Sequence, residues 1–147
     1  AFQQIYKTHF LNTPSTWLYD PIDEEGDMLI ICHDEWLSNM QPFVDHKNSI
    51  GIDTTIVPVS SIGNNSNAIK SYIQDVYDAS DLAYVLLVGD AIYDFHDRWG
   101  TGKTNHVPAY LTYTQYMGET ATDEWYVTVS GNDAVPDLYI GRLSQGR

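Results

Sequence analysis

The chain has 147 residues, with 20 Asp and Glu against 7 Lys and Arg and a formal charge of −13 at neutral pH. That length suits one domain with a core able to fold unaided, and a hydrophobic content of 43% with only 18% charged residues excludes a disordered acidic tail. A surface this negative repels phosphate backbones and anionic lipid, so no nucleic-acid partner is expected, whereas hard cations such as Ca²⁺ are favoured.

No run approaches the roughly 20 apolar residues of a membrane span. Cys32 is the single cysteine, which excludes an internal disulfide and a cysteine-rich zinc site. The first ten residues lack a basic stretch followed by an apolar one, so no leader is expected within them. Abundant Tyr, Thr, Asn and Asp with few Lys lean towards an exported protein, and Asn64-Asn65-Ser66 is a formal glycosylation sequon.

Residues 1–27 carry no sustained period and read as an extended lead-in, with 28–147 as the folded unit. Met28 to Cys32 is a continuous apolar run, as in a strand covered on both faces. Asp34 is placed to cap a helix with Trp36, Leu37, Met40, Phe43 and Val44 on one face; Gly51 ends it, and Pro42 should kink it or shift its start. Ile52 to Val57 is strand-like, and Ser60 to Asn65 reads as a turn with Ser66 or Asn67 as the next cap. Ile69, Tyr72, Ile73, Val76 and Tyr77 then repeat a helical face before the buried strand Ala83 to Val88.

Strand, helix, strand, helix, strand with short connections predicts an α/β fold, a mostly parallel Rossmann-like sheet with helices on both faces. Residues 91–106 read as a long polar loop. Val107–Tyr113 and Trp125–Val129 are short strand candidates, and Pro136–Arg142 is a further sheet strand. After it, Ser144 should cap a helix.

Reactive groups in such sheets gather at the carboxyl ends of strands. Cys32 beside His33 invites a nucleophile–base reading, but neighbours on a strand face opposite ways, so Cys32 is expected to be a buried, inert thiol. His9, His46 and His106 look isolated, and His96 between Asp94 and Asp97 is a weak metal-ligand candidate. The stronger cation site is Asp90, Asp123 and Asp133, which the loop order brings towards one sheet edge. Carboxylates and carbonyls suit Ca²⁺, which takes about six to eight oxygens. The plain alternative is that these carboxylates cap turns. A phosphorylatable receiver domain is disfavoured, since it needs an acidic pair after the first strand and a late Lys after the fifth.

Several phrases in order carry a resemblance: Gly26-Asp27-Met28-Leu29-Ile30-Ile31, Lys47 to Val57, Asn67 to Ile73, Tyr84 to Asp90, Val107 to Tyr110, Thr122 to Tyr126, and Pro136 to Ser144. Over roughly residues 26–144 the chain resembles the gingipain-type cysteine peptidases, family C25. The resemblance implies a caspase-like α/β catalytic domain of two subdomains, of which this chain matches the first. It places the catalytic His, followed by Gly, and the catalytic Cys in the second subdomain; no His here precedes a Gly, and Cys32 falls where that family has no nucleophile.

The resemblance thus implies no catalytic residue in this chain, an exported or cell-surface parent acting on protein or peptide substrates, and the second subdomain as partner. Calcium in relatives adds weight to the acidic loops. The alternative is a non-catalytic, Ca²⁺-stabilised binding or structural domain. A third reading takes Arg147 as a processing point.

Overall fold

A computed structural model of the chain describes residues 26–92, 94 and 98–144. The expected lead-in, apart from its last two positions, and the helix expected after Ser144 lie outside the described residues. Four parallel strands form the main sheet: β1 (Asp27–Cys32), β2 (Thr54–Pro58), β3 (Leu82–Val88) and β6 (Tyr139–Leu143), in the order β2-β1-β3-β6. Ile30 lies opposite Ile56 and Leu86, and Leu86 lies opposite Gly141. The α/β class and the parallel sheet expected from the sequence are both present.

The apolar run of β1 divides between two cores because successive side chains face opposite ways. Leu29 and Ile31 pack towards α3 (Ser66–Ala79) with Ile69, Ile73, Val85 and Leu87. Ile30 and Cys32 pack towards α1 (Leu37–Ser49) with Met40, Val44 and Val88. The helical faces read from the sequence are those that are buried.

Helix boundaries differ from expectation for local reasons. Asp34 sits inside a 3-10 turn, Asp34–Trp36, that leads into α1 without a side-chain cap. Its carboxylate instead accepts from the backbone N–H of Ser60 (3.3 Å) and from the Ser60 hydroxyl, at the start of the short helix α2 (Val59–Ile62). The Ser60 hydroxyl is the main reason the Asp34 carboxyl is held below its ordinary range. Helix α1 runs through Pro42, which is exposed and forfeits one intrahelical bond. The cap of α3 is Asn65, one residue before those expected; its Oδ1 accepts from the N–H of Ala68 at 2.9 Å.

Beyond β3 the chain builds a small antiparallel hairpin, β4 (Tyr110–Thr114) with β5 (Gly118–Thr122). The strand expected over Trp125–Val129 is instead a 3-10 turn, Glu124–Val127. Tertiary contacts override its strand-like composition. The ring of Trp125 stacks on Tyr110 with centroids 3.8 Å apart, and the buried Tyr126 donates its hydroxyl to the Pro108 carbonyl at 2.8 Å. Lys70 of α3 reaches up to this turn, donating to the carbonyls of Trp125 (2.6 Å) and Thr128 (2.9 Å) and to the Thr128 hydroxyl (2.9 Å). Burial lowers its pKa, and Asp137 opposes that shift.

The α3-side core is the larger of the two. Ile73→Ala should therefore cost about 2–5 kcal/mol in urea unfolding, while Asp75→Ala on the exposed face of the same helix stays within about 0.5 kcal/mol. A loss below about 1 kcal/mol for Ile73→Ala would contradict this packing.

Candidate functional site

The chain turns one way from β1 to β2 and the other way to β3, so the carboxyl ends of β1 and β3 flank the switch point where open α/β sheets hold ligands. Here the chain's own rings pack at that point. His33, just after β1, has its ring 4.7 Å from that of His106 and 5.0 Å from that of Trp36, and Trp36 lies 4.9 Å from His106. His106, expected to be isolated, is brought there when its N–H bonds the Asp90 carbonyl at 3.0 Å. Among the described residues, the buried Nδ1 of His33 has no hydrogen-bond partner. Gly89 makes this close approach workable: its φ is 141°, and a Cβ there would lie 2.9 Å from the Cβ of His106.

Cys32 is fully buried on the α1 side of the sheet. Its Sγ donates to the His33 carbonyl at 3.2 Å. Burial first, and the Asp34 charge second, push its pKa from 9.0 up to about 11. A thiol held protonated in this way is the opposite of an activated nucleophile.

The carboxylates expected to share a cation are engaged otherwise. Both oxygens of Asp123 face Arg142, at 2.8 Å from Nε and 2.7 Å from Nη2. Asp133 is exposed and accepts from the N–H of Val135 at 3.0 Å, closing a turn. Asp90 accepts backbone N–H bonds through its carbonyl. Among the described residues no group of three or more His, Cys, Asp and Glu is gathered so as to hold a metal ion. Asp90, Asp123 and Asp133 do not form such a group, and a guanidinium already occupies the Asp123 fork. His96 and Asp97 lie outside the described residues, and Asp94 caps the N–H groups of Arg98 and Trp99 at 2.9 and 2.8 Å.

Arg142 is the residue whose importance the sequence reading missed. Its remaining N–H groups donate to the carbonyls of Gly89 (2.6 Å), Val107 (2.8 Å) and Pro108 (3.1 Å). A signal was available: Ile140 and Arg142 share one strand face, so a strand burying Ile140 must turn Arg142 inward, where a charge needs a partner. The contact between His33 and His106 spans 73 positions of sequence and left no local signal.

A family model described as "Peptidase family C25" matches residues 22–146. Gingipain R2 of Porphyromonas gingivalis strain W83 is 31% identical over 98% of this chain, which spans 18% of that protein. Gingipain R1 of Porphyromonas gingivalis is 30% identical over 98% of the chain and 13% of its own length. Among solved structures, the Arg-specific cysteine proteinase gingipain R superposes with a TM-score of 0.68 at 30% identity, covering 88% of this chain and 27% of that one. The complex of the RgpB pro- and mature domains from Porphyromonas gingivalis gives 0.66 at 29% identity, covering 83% and 26%. The chain thus spans less than a fifth of the two gingipains and about a quarter of the two solved chains.

Two outcomes follow from this geometry. Arg142→Lys keeps the charge but loses the fork, and after allowance for partial exposure it should cost about 2–3 kcal/mol in denaturant unfolding; a cost under about 0.5 kcal/mol would contradict the role assigned to Arg142. Cys32 should carry about a hundredfold less thiolate at pH 8 in the folded chain than in the unfolded one, so a disulfide reagent labels it only after denaturation. Its folded pKa is raised, so its contribution to stability is full below pH 9 and is lost as pH climbs towards about 11. Rapid native labelling at pH 8 would overturn this.

Proposed function

The chain belongs to peptidase family C25, and from that premise we propose that it is the first, non-catalytic subdomain of a secreted cysteine endopeptidase whose Cys–His dyad lies in a second subdomain. The observation that carries the reading is the open flank of β6. Among the described residues β6 pairs with β3 alone. Tyr139 and Leu143 lie on the α1 side of the sheet, the face that carries Leu86 and Val88, yet are 53% and 49% exposed. Tyr139 stacks on Tyr84 with centroids 5.6 Å apart, and Leu86 lies beside them, opposite Gly141. An edge strand with exposed apolar side chains is a liability in a finished domain and a natural seam for continuing the sheet.

The absence of activating geometry around Cys32 supports the same division of labour. In the whole enzyme, attack of a thiolate on a peptide carbonyl, with an imidazole carrying the proton to the leaving amine, is the task of the second subdomain. This chain supplies the sheet on which that subdomain docks and the Arg142-braced carboxyl-end surface beside it.

The test is peptide hydrolysis by the longer protein that contains this chain. Cys32→Ala should leave kcat within about twofold, whereas replacing the catalytic Cys of the second subdomain should lower it by about a thousandfold or more. The 147-residue chain alone should hydrolyse nothing. Abolition of activity by Cys32→Ala, or hydrolysis by the isolated chain, would refute the reading, and an inactive longer protein would favour a purely binding or structural role.

A further inference from the structure

Outside the switch point, the carboxyl end of the sheet carries a concavity of about 680 Å³ between the loop before α3, the segment after β3 and the hairpin. That volume falls in the range of pockets that bury most of a drug-sized ligand. Its floor is aliphatic, from Ile92, Pro108, Leu111 and Ala121. Leu111 and Ala121 are cross-strand partners on one hairpin face, and the next pair on that face is Tyr113 with Glu119. Tyr113 is 78% exposed, so the apolar surface continues outward from the concavity along the hairpin.

The rim is built of amides rather than charges. Asn64 donates through Nδ2 to the Asn105 carbonyl at 2.7 Å, and Asn105 accepts through Oδ1 from the N–H of Ile92 at 2.6 Å. Among the described residues these bonds fix both side chains and leave Asn64 its Oδ1 acceptor and Asn105 its Nδ2 donors, the complement that peptide N–H and C=O groups require. Among the described residues Glu119 is the one ionisable side chain in the lining, and they place no cationic group there. The Asn65 carboxamide already caps the N–H of Ala68 in the first turn of α3. With a net charge of −13 as well, phosphate, nucleotide and acidic peptide ligands are disfavoured. Among the described residues no aromatic ring belongs to the lining, so they offer nucleobases no stacking platform.

We propose that this concavity is a substrate subsite that seats an uncharged, extended stretch of polypeptide, with an aliphatic side chain on the Ile92–Leu111–Ala121 floor and its peptide groups against Asn64 and Asn105. The word substrate rests on the peptidase reading above; the peptide binding does not. The site acts in recognition, away from bond cleavage, and favours protein segments with an aliphatic residue at that position.

The test uses fluorescence anisotropy of the 147-residue chain with labelled, terminally blocked 12-residue peptides that are neutral apart from the central position, which is Leu or Asp. The central-Leu peptide should bind at least tenfold more tightly than the central-Asp peptide. Ala121→Trp, on the exposed hairpin face, and Leu111→Asp, on the floor, should each weaken binding at least tenfold while the melting temperature holds; if one variant unfolds, the other decides. Equal affinity for the two peptides, affinity unchanged by the variants, or displacement by maltohexaose but not by unlabelled peptide would overturn the proposal. Binding needs no catalytic dyad, so binding without hydrolysis in the longer protein removes the peptidase reading alone, and hydrolysis without binding removes this subsite alone.

Discussion

The guanidinium of Arg142 sets the architecture at the carboxyl end of the sheet. All five of its N–H bonds are committed: two to Asp123, and one each to the carbonyls of Gly89, Val107 and Pro108. One side chain of β6 thereby joins the end of β3, the segment leading to the hairpin and the residue that opens the Glu124–Val127 turn. With Arg142 only 13% and Asp123 26% exposed at the side chain, the pair is stabilising because every donor is met; half-satisfied, it would be a cost. The hydroxyl of Tyr126, bonded to the same Pro108 carbonyl, extends the brace into the core, where burial pushes the phenol pKa upward.

This brace shows what Asp123 does. A charge of −13 invites the search for a bound cation, and the cation found at Asp123 is an arginine of the chain itself. Asp34, Asp94, Asp133 and Asp137 accept backbone N–H groups in turns and at a helix start. Carboxylates are well suited to that work because charge-assisted acceptors bind backbone donors about twice as strongly as neutral ones.

The parts legible in sequence were those governed by local period and two-sided burial. Met28–Cys32 reads as a buried strand because one alternation feeds two cores, and Ile69 to Tyr77 reads as a helix because its apolar stripe has one face to fill. The parts that were not legible depend on partners far along the chain. Trp125–Val129 has strand composition, yet Tyr110 and Pro108 hold it as a turn. Gly118–Thr122 is too polar to announce itself and pairs only because Tyr110–Thr114 lies opposite. Asp123 reads as a cation ligand until Arg142, 19 positions later, is placed inside its fork. The carboxyl-end concavity likewise joins Asn64 to Ala121, a combination no local window contains.

A sheet that ends at β6 and a sheet that continues past it differ in one directly measurable property. The Leu143 carbonyl accepts from Gly89 at 3.0 Å, so alternate residues of β6 face β3 and the N–H groups of Ile140 and Arg142 point to the open edge. Hydrogen exchange at those two amides, measured in the 147-residue chain and in the longer protein that contains it, reads out whether another strand pairs there. Protection that rises by about a hundredfold or more in the longer protein is the expected result, since a paired edge amide opens only with its sheet. Equal, rapid exchange in both would mean that β6 is a true edge, and that this chain is not the first half of a divided peptidase sheet.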